Sequence, residues 1–145
     1  MVPRLAGLLR RYPLAVSGVF LFSLFMTAVY GPYDMFVKLF TQPVSAAEEV
    51  WFGFMLRGWA AKLTEPLHWL IYASLSYGFF HERPWAWPFA SLYTLQVALG
   101  MVIWALLYAP PVAGMRAVSV VVGLFLAAVA AAVWRARPAP VPARP

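Results

Sequence analysis

The sequence predicts an all-α fold, a polytopic membrane four-helix bundle with an outer-side amphipathic helix between the first and second spans. Two observations carry this prediction. Hydrophobic residues make up 63% of the 145-residue chain and charged residues only 11%, against about 25% charged in an ordinary soluble domain. The charges also fall in short intervals. The uncharged apolar runs between them approach the roughly 20 residues that a spanning helix needs.

The net charge of +6 follows the same plan. Arg4, Arg10 and Arg11 precede the first apolar run, and Arg135, Arg137 and Arg144 follow the last. Basic residues flanking apolar spans set topology, with anionic headgroups as a second, unspecific partner. This distribution argues against nucleic-acid binding. The absence of cysteine removes disulfides, thiolate metal sites and thiol nucleophiles.

Residues 1–12 form a basic N-terminal segment. The first span covers residues 13–30, and Gly31-Pro32 is expected to end it because proline cannot continue the helical ladder. This run is longer than a usual signal-peptide core and closes on Tyr-Gly-Pro-Tyr without a small-x-small site, so a retained helix is expected. Residues 33–63 hold Asp34, Lys38, Glu48, Glu49, Arg57 and Lys62. Within them Ser45-Ala46-Ala47-Glu48 has the spacing of a capping box. Val50, Trp51, Phe54, Met55 and Trp59 then recur at helical spacing. These features predict an amphipathic helix over residues 46–62, lying on the membrane or over the bundle mouth.

The second span covers residues 65–80, with Pro66 in its first turn. His81-Glu82-Arg83 makes a charged turn. The third and fourth spans cover residues 87–108 and 112–134, joined at Pro110-Pro111. The tail over 135–145, rich in Pro, Ala and Arg, is expected to be disordered. The positive-inside rule then puts both termini in the cytoplasm. Inner segments hold Arg4, Arg10, Arg11, Arg83, Arg135, Arg137 and Arg144, and outer segments hold Lys38, Arg57, Lys62 and Arg116. Aromatics are expected as two belts: Tyr12, Trp85, Trp87 and Trp134 at one interface, Tyr30, Tyr33, Trp104 and Tyr108 at the other. Small-residue ladders at Gly123, Ala127 and Ala131, and at Ala90, Thr94 and Ala98, allow close helix approach.

The second span carries the most informative pattern. Glu65, His68, Tyr72 and Ser76 recur at steps of three, four and four, which puts them on one helical face. Polar groups at membrane depth turn toward the bundle interior or a cavity. At 1.5 Å per residue Tyr72 falls about 10 Å deeper than Glu65. Glu65 and His68, one turn apart, can share a proton. The bland alternative puts Glu65 in headgroup water, His68 on a neighbouring helix and the rest in packing. Gln96 sits near the middle of the third span, where lipid offers its amide no partner. Either an interhelical hydrogen bond or a deep pocket contact satisfies it. Ser17, Ser23 and Thr27 are expected to bond their own helix backbone. Trp51, Trp59 and Trp69 serve as interfacial anchors or roof a lipid pocket.

The candidate ligand-binding residues are therefore Glu65, His68, Tyr72, Ser76, Gln96, Trp59 and Trp69. Glu65 and His68 are the candidates for moving a proton. No metal and no cofactor are expected. His68 and His81, thirteen residues apart, lie roughly 20 Å apart on one helix, too far to ligate one iron. Carboxylates are scattered, and no Gly-rich phosphate loop or nucleophile elbow is present.

The segment Gly58-Trp59-Ala60-Ala61-Lys62-Leu63-Thr64-Glu65-Pro66-Leu67 resembles a stretch of the EXPERA superfamily, which includes emopamil-binding sterol isomerases and sigma-2-receptor-type four-helix membrane proteins. The layout is similar: one span, a polar outer segment of about thirty residues, then three spans. Arg83-Pro84-Trp85-Ala86-Trp87-Pro88, followed by Ala90-Ser91-Leu92-Tyr93, echoes the entry to the family's third span. The resemblance implies that Glu65 is a pocket acid facing a ligand amine or a carbocation-like transition state. The family carries a second acid after a Leu-Phe-Met run. Here Leu24-Phe25-Met26 is followed by Thr27, so that acid is absent unless Asp34 substitutes.

Two functional readings follow. In the first, the bundle holds a pocket for a hydrophobic, sterol- or isoprenoid-like ligand, open toward the outer leaflet, with membrane lipid and the small molecule as partners. Its catalytic version is proton-shuttling double-bond isomerisation by Glu65 or His68. In the second, the chain is a non-catalytic accessory or assembly subunit of a larger membrane complex, docking a membrane protein partner or a second copy through its small-residue faces.

Overall fold

The computed structural model describes residues 2–110, 112 and 114–138, and it is mostly helical. The basic N-terminal segment is itself a helix, α1 (Val2–Arg11). Leu5, Leu8 and Leu9 gather on one side of it and Arg4, Arg10 and Arg11 on the other, an amphipathic arrangement at helical spacing. Leu8 is buried in a core that also contains Val16, Phe20, Phe79, Trp87 and Val133. Pro13 then caps α2 (Leu14–Phe25).

The first span does not stop at Gly31-Pro32. Helix continues from α2 through a wide π stretch (Met26–Tyr30), a short α3 (Gly31–Tyr33), a second π stretch (Asp34–Lys38) and α4 (Leu39–Thr41). The reason lies in the hydrogen bonding. Gly31 N–H donates to Met26 O, five residues back, and Pro32 occupies the start of the following turn. That position tolerates a residue without an N–H. One widened turn thus absorbs the proline.

The segment expected as an amphipathic helix over 46–62 folds differently. After a 3₁₀ turn (Val44–Ala46) come two antiparallel strands, β1 (Glu48–Trp51) and β2 (Phe54–Arg57). Trp51 faces Phe54 across the turn and Glu48 faces Arg57, where their side chains pair at 3.1 Å. Phe52 and Gly53 both have positive φ, 48° and 85°, as a two-residue hairpin turn demands. Gly53 supplies that geometry without a Cβ, which would meet the Ile103 side chain at 2.6 Å. Apolar residues at 50, 51, 54 and 55 satisfy either a helix or a tight hairpin, and the glycine between the two pairs decides for the hairpin. Only α5 (Trp59–Lys62) at its end is helical, and the expected capping box does not form.

Next come α6 (Thr64–Phe80), α7 (Ala86–Leu107) and α8 (Met115–Arg135), close to the expected second, third and fourth spans. Among the described residues three helices are long and apolar enough to cross a membrane: Leu14–Val37, Ala86–Leu107 and Met115–Arg135. α6 packs on α2 and α7, and α8 packs on α7 and α2. The expected disordered tail lies outside the described residues beyond 138, while Arg135 closes α8.

The core sits at the end where α1, the close of α6, the start of α7 and the close of α8 meet. Tyr12 and Trp87, expected in an interfacial belt, belong to it. Tyr12 packs edge-on to Phe20, Phe79 and Trp87 at centroid distances of 6.3, 6.3 and 5.7 Å, and its hydroxyl donates to Phe79 O at 2.7 Å. Burial pushes the Tyr12 hydroxyl pKa up, Glu82 adds to this, and Arg11 opposes it. Arg11 also pairs with Glu82 at 3.2 Å. Trp85 and Trp134 remain exposed at this end.

Small residues join α7 to α8, with one shift from the expected ladder. Gly123 and Ala130 are buried, whereas Ala131 is exposed. Strict steps of four drift off the face of a 3.6-residue helix, so the buried line turns to Ala130. At Gly123 a Cβ would lie 2.9 Å from Ala98 O and 2.7 Å from a Val102 methyl. Gly123→Leu is expected to lower thermal stability by about 1–3 kcal/mol through overpacking, while Ala131→Leu leaves the melting temperature unchanged. Thermal unfolding of the two purified variants checks this.

Candidate functional site

At the end of the molecule opposite the aromatic core, a cavity of about 530 Å³ opens between α2's continuation, the hairpin, α6 and α7. Its lining includes Asp34, Glu48, Glu49 and Glu65, four of the chain's five carboxylates. A chain with net charge +6 therefore gathers almost all its negative charge around one space. The fifth acid, Glu82, pairs with Arg11 at the other end.

Local structure explains the gathering. The helical continuation past Pro32 carries Asp34 over the mouth. The hairpin brings Glu48 and Glu49 down beside it. α6 opens with Glu65 in its first turn, where a carboxylate suits the helix dipole. One oxygen of Glu65 meets Lys62 Nζ at 3.5 Å, with side-chain exposures of 10% and 1%. So deep a pair stands only while both members are present, because losing one leaves an unmatched buried charge. The other oxygen, Oε2, is buried without a hydrogen-bond partner among the described residues, and so is Gln96 Oε1. Both are acceptors at the cavity wall.

His68, one turn below Glu65, is held from two sides. Trp51 Nε1 donates to His68 Nε2 at 2.6 Å, and Tyr93 Oη meets His68 Nδ1 at 2.6 Å. Glu49 stands 3.8 Å from the same Nε2, but the shorter indole contact governs. An indole N–H only donates, so Nε2 must present its lone pair. The geometry therefore selects the Nδ1–H tautomer, with Nδ1 donating to Tyr93.

Below the ring, Tyr72 packs edge-on to Tyr93 at 5.5 Å. Tyr72 and Val97 line the acidic cavity and also a second space of about 610 Å³. That second space is a groove among α2, α6, α7 and α8, walled by Leu14, Val19, Phe22, Leu75, Phe125 and other apolar side chains, with Tyr93 on its rim. Leu14, Phe22 and Phe125 are largely exposed, so the groove is open along its outer side.

The polar stripe of α6 thus faces inward as its spacing implies. Glu65, His68 and Tyr72 line the acidic cavity together with Gln96 and Trp69. Ser76 lies one turn deeper, outside both linings, with its hydroxyl 3.2 Å from Thr27 Oγ1. Thr27 and Ser23 also donate to their own helix at 2.7 and 2.8 Å. Ser17 instead reaches Leu9 O and Tyr12 O, both at 3.3 Å, across the α1–α2 junction. Trp69 lies against Gly31 and donates to Thr27 O at 3.0 Å, fixing α6 to the first span. Trp59 is not in the lining and is 66% exposed.

Sequence reasoning missed Glu48, Glu49 and Tyr93 as site residues. The hairpin brings in the first two. Tyr93 lies on α7 three residues before Gln96, a neighbouring-turn spacing that would have linked them. Among the described residues no three His, Asp or Glu side chains converge as a metal site requires. Comparisons of the chain with protein-family models, curated proteins and solved structures gave no match.

The tautomer has a direct readout. In ¹⁵N spectra of histidine-labelled protein, His68 Nε2 is expected at a pyridine-type shift and Nδ1 at a protonated one. In Trp51→Phe the two nitrogens are expected to move toward averaged values as both tautomers become populated.

Proposed function

We propose that the chain is a four-span integral membrane protein, with both termini cytoplasmic, whose helix bundle binds a hydrophobic, sterol- or isoprenoid-like ligand. One observation carries the reading: a cavity lined by four carboxylates meets an apolar groove at Tyr72 and Val97. An amphiphile fits that pairing, with its polar end among Glu65, His68 and Gln96 and its apolar body along the groove. The groove's open side would let the ligand enter from the bilayer.

α6 is the fourth span in this reading. At 17 residues it is about 25 Å long, a little short of a 30 Å hydrocarbon core. Its outer end borders a polar cavity rather than lipid, so it need not reach the full thickness. The exposed Arg4, Arg10, Arg11, Arg83, Arg135 and Arg137 stand at the opposite end, as a cytoplasmic face requires.

The EXPERA resemblance gains support from Asp34. The second acid that the family carries is replaced by Thr27, yet Asp34 reaches the same cavity as Glu65. On that basis Glu65 is the anchor for the ligand's polar or cationic end. Proton-shuttling isomerisation through Glu65 or His68 is the catalytic extension of the same site. The second reading, an accessory subunit, is favoured by the exposed small residues Ala128, Ala131 and Ala132 on the outer face of α8, a surface suited to another helix.

Native mass spectra of gently extracted protein separate the two. The wild type is expected to carry a small hydrophobic adduct that Glu65→Ala loses while expression is retained. A stoichiometric protein partner without an adduct, lost on Ala131→Leu, would instead establish the subunit reading.

A further inference from the structure

The hydrogen bonds around His68 fix more than a tautomer. Trp51 donates to Nε2 at 2.6 Å, so the single proton of a neutral imidazole sits on Nδ1. Nδ1 lies 2.6 Å from Tyr93 Oη, and with the proton on nitrogen the phenol oxygen must accept. The hydroxyl proton of Tyr93 is then turned away from His68, toward Tyr72 and the groove that Tyr93 borders. The other walls of that groove are almost wholly apolar, and Ser23 commits its proton to Val19 O at 2.8 Å. Tyr93 donates to the Tyr72 side chain, so the hydroxyl whose own proton is left for the junction of the two spaces is that of Tyr72, which lines both.

We infer that Tyr72, held as acceptor by Tyr93, is the groove's hydrogen-bond donor and selects ligands with an oxygen acceptor, a hydroxyl or ether-type oxygen, at the junction of the two spaces. Trp51 is a positioning residue for it, acting from the hairpin through His68 and Tyr93. This rests on the ligand-pocket reading and adds to it the chemistry of the ligand's polar end. Without the indole N–H, the Nε2–H tautomer becomes available. Nδ1 then accepts from Tyr93, the Tyr93 oxygen accepts from Tyr72 in turn, and the Tyr72 proton is taken inside the protein instead of by the ligand. Removing an N–H some distance from the groove therefore changes what the groove prefers.

Three probes that share one C15 chain test this: farnesol, farnesyl methyl ether and β-farnesene. The ether offers an acceptor and no donor, and the hydrocarbon offers neither. Dissociation constants are measured by native mass spectrometry on the full chain. The wild type is expected to bind farnesol and the ether more tightly than β-farnesene. The ratio of ether to hydrocarbon affinity is expected to fall about tenfold in Tyr72→Phe, the size of one neutral hydrogen bond. A smaller fall in the same ratio is expected in Trp51→Phe, with β-farnesene affinity unchanged. If Trp51 served packing alone, all three affinities would drop together and the positioning role would be overturned. Equal wild-type binding of ether and hydrocarbon would overturn the oxygen selectivity and leave the pocket standing. Binding of none of the three would remove the pocket reading and this inference with it.

Discussion

Hydrocarbon offers no hydrogen bonds, so every polar side chain on a spanning helix must find its partner inside the protein. In the four-span reading proposed above, α6 feels this constraint most, with Glu65, His68, Tyr72 and Ser76 along one face. Turning that face inward brings Ser76 to Thr27 at 3.2 Å and His68 to Tyr93 at 2.6 Å. Trp69 adds a bond to Thr27 O at 3.0 Å. These contacts set the rotation of α6 against α2 and α7. They also place a polar cavity at one end of the helices and an apolar groove beside it.

The two ends of the molecule are built from different materials. One end is closed by interlocking aromatic rings around Phe20, Phe79 and Trp87, with arginines exposed outside it. The other end is held open. The hairpin, with its own cross-strand ion pair, roofs a space rather than filling it, and the carboxylates on its walls include Glu48 paired with Arg57 and Glu65 paired with Lys62.

The helices were legible in the sequence because their signals are long and redundant. Sixteen or more uncharged, mostly apolar residues between charges leave little choice, and the limits of α6 and α7 fall within a residue or so of the expected spans. The inward stripe was legible too, since helical spacing and the cost of polar groups in lipid point the same way. The failures lie where short-range signals were ambiguous. Val50, Trp51, Phe54 and Met55 fit a helix face as well as a hairpin, and only the positive φ at Phe52 and Gly53 separates them. Gly31-Pro32 reads as a stop, but a five-residue hydrogen-bond step from Gly31 to Met26 carries the helix past it. Both errors concealed the site. The hairpin brings Glu48 and Glu49, and the extended helix brings Asp34, so of the four carboxylates on the cavity wall only Glu65 stood among the candidate ligand-binding residues.

Gln96, midway along α7, lines the polar space at the end opposite the basic one. The chain has no cysteine, so single-cysteine labelling is free of background. Gln96→Cys and Leu99→Cys differ by three residues on α7, and Leu99 is 54% exposed and outside the cavity lining. In sealed, oriented membranes a charged methanethiosulfonate is expected to label Gln96→Cys from the side opposite the N-terminus and to leave Leu99→Cys unmodified. Equal protection of both cysteines, or labelling of Gln96→Cys from the N-terminal side, would contradict the account.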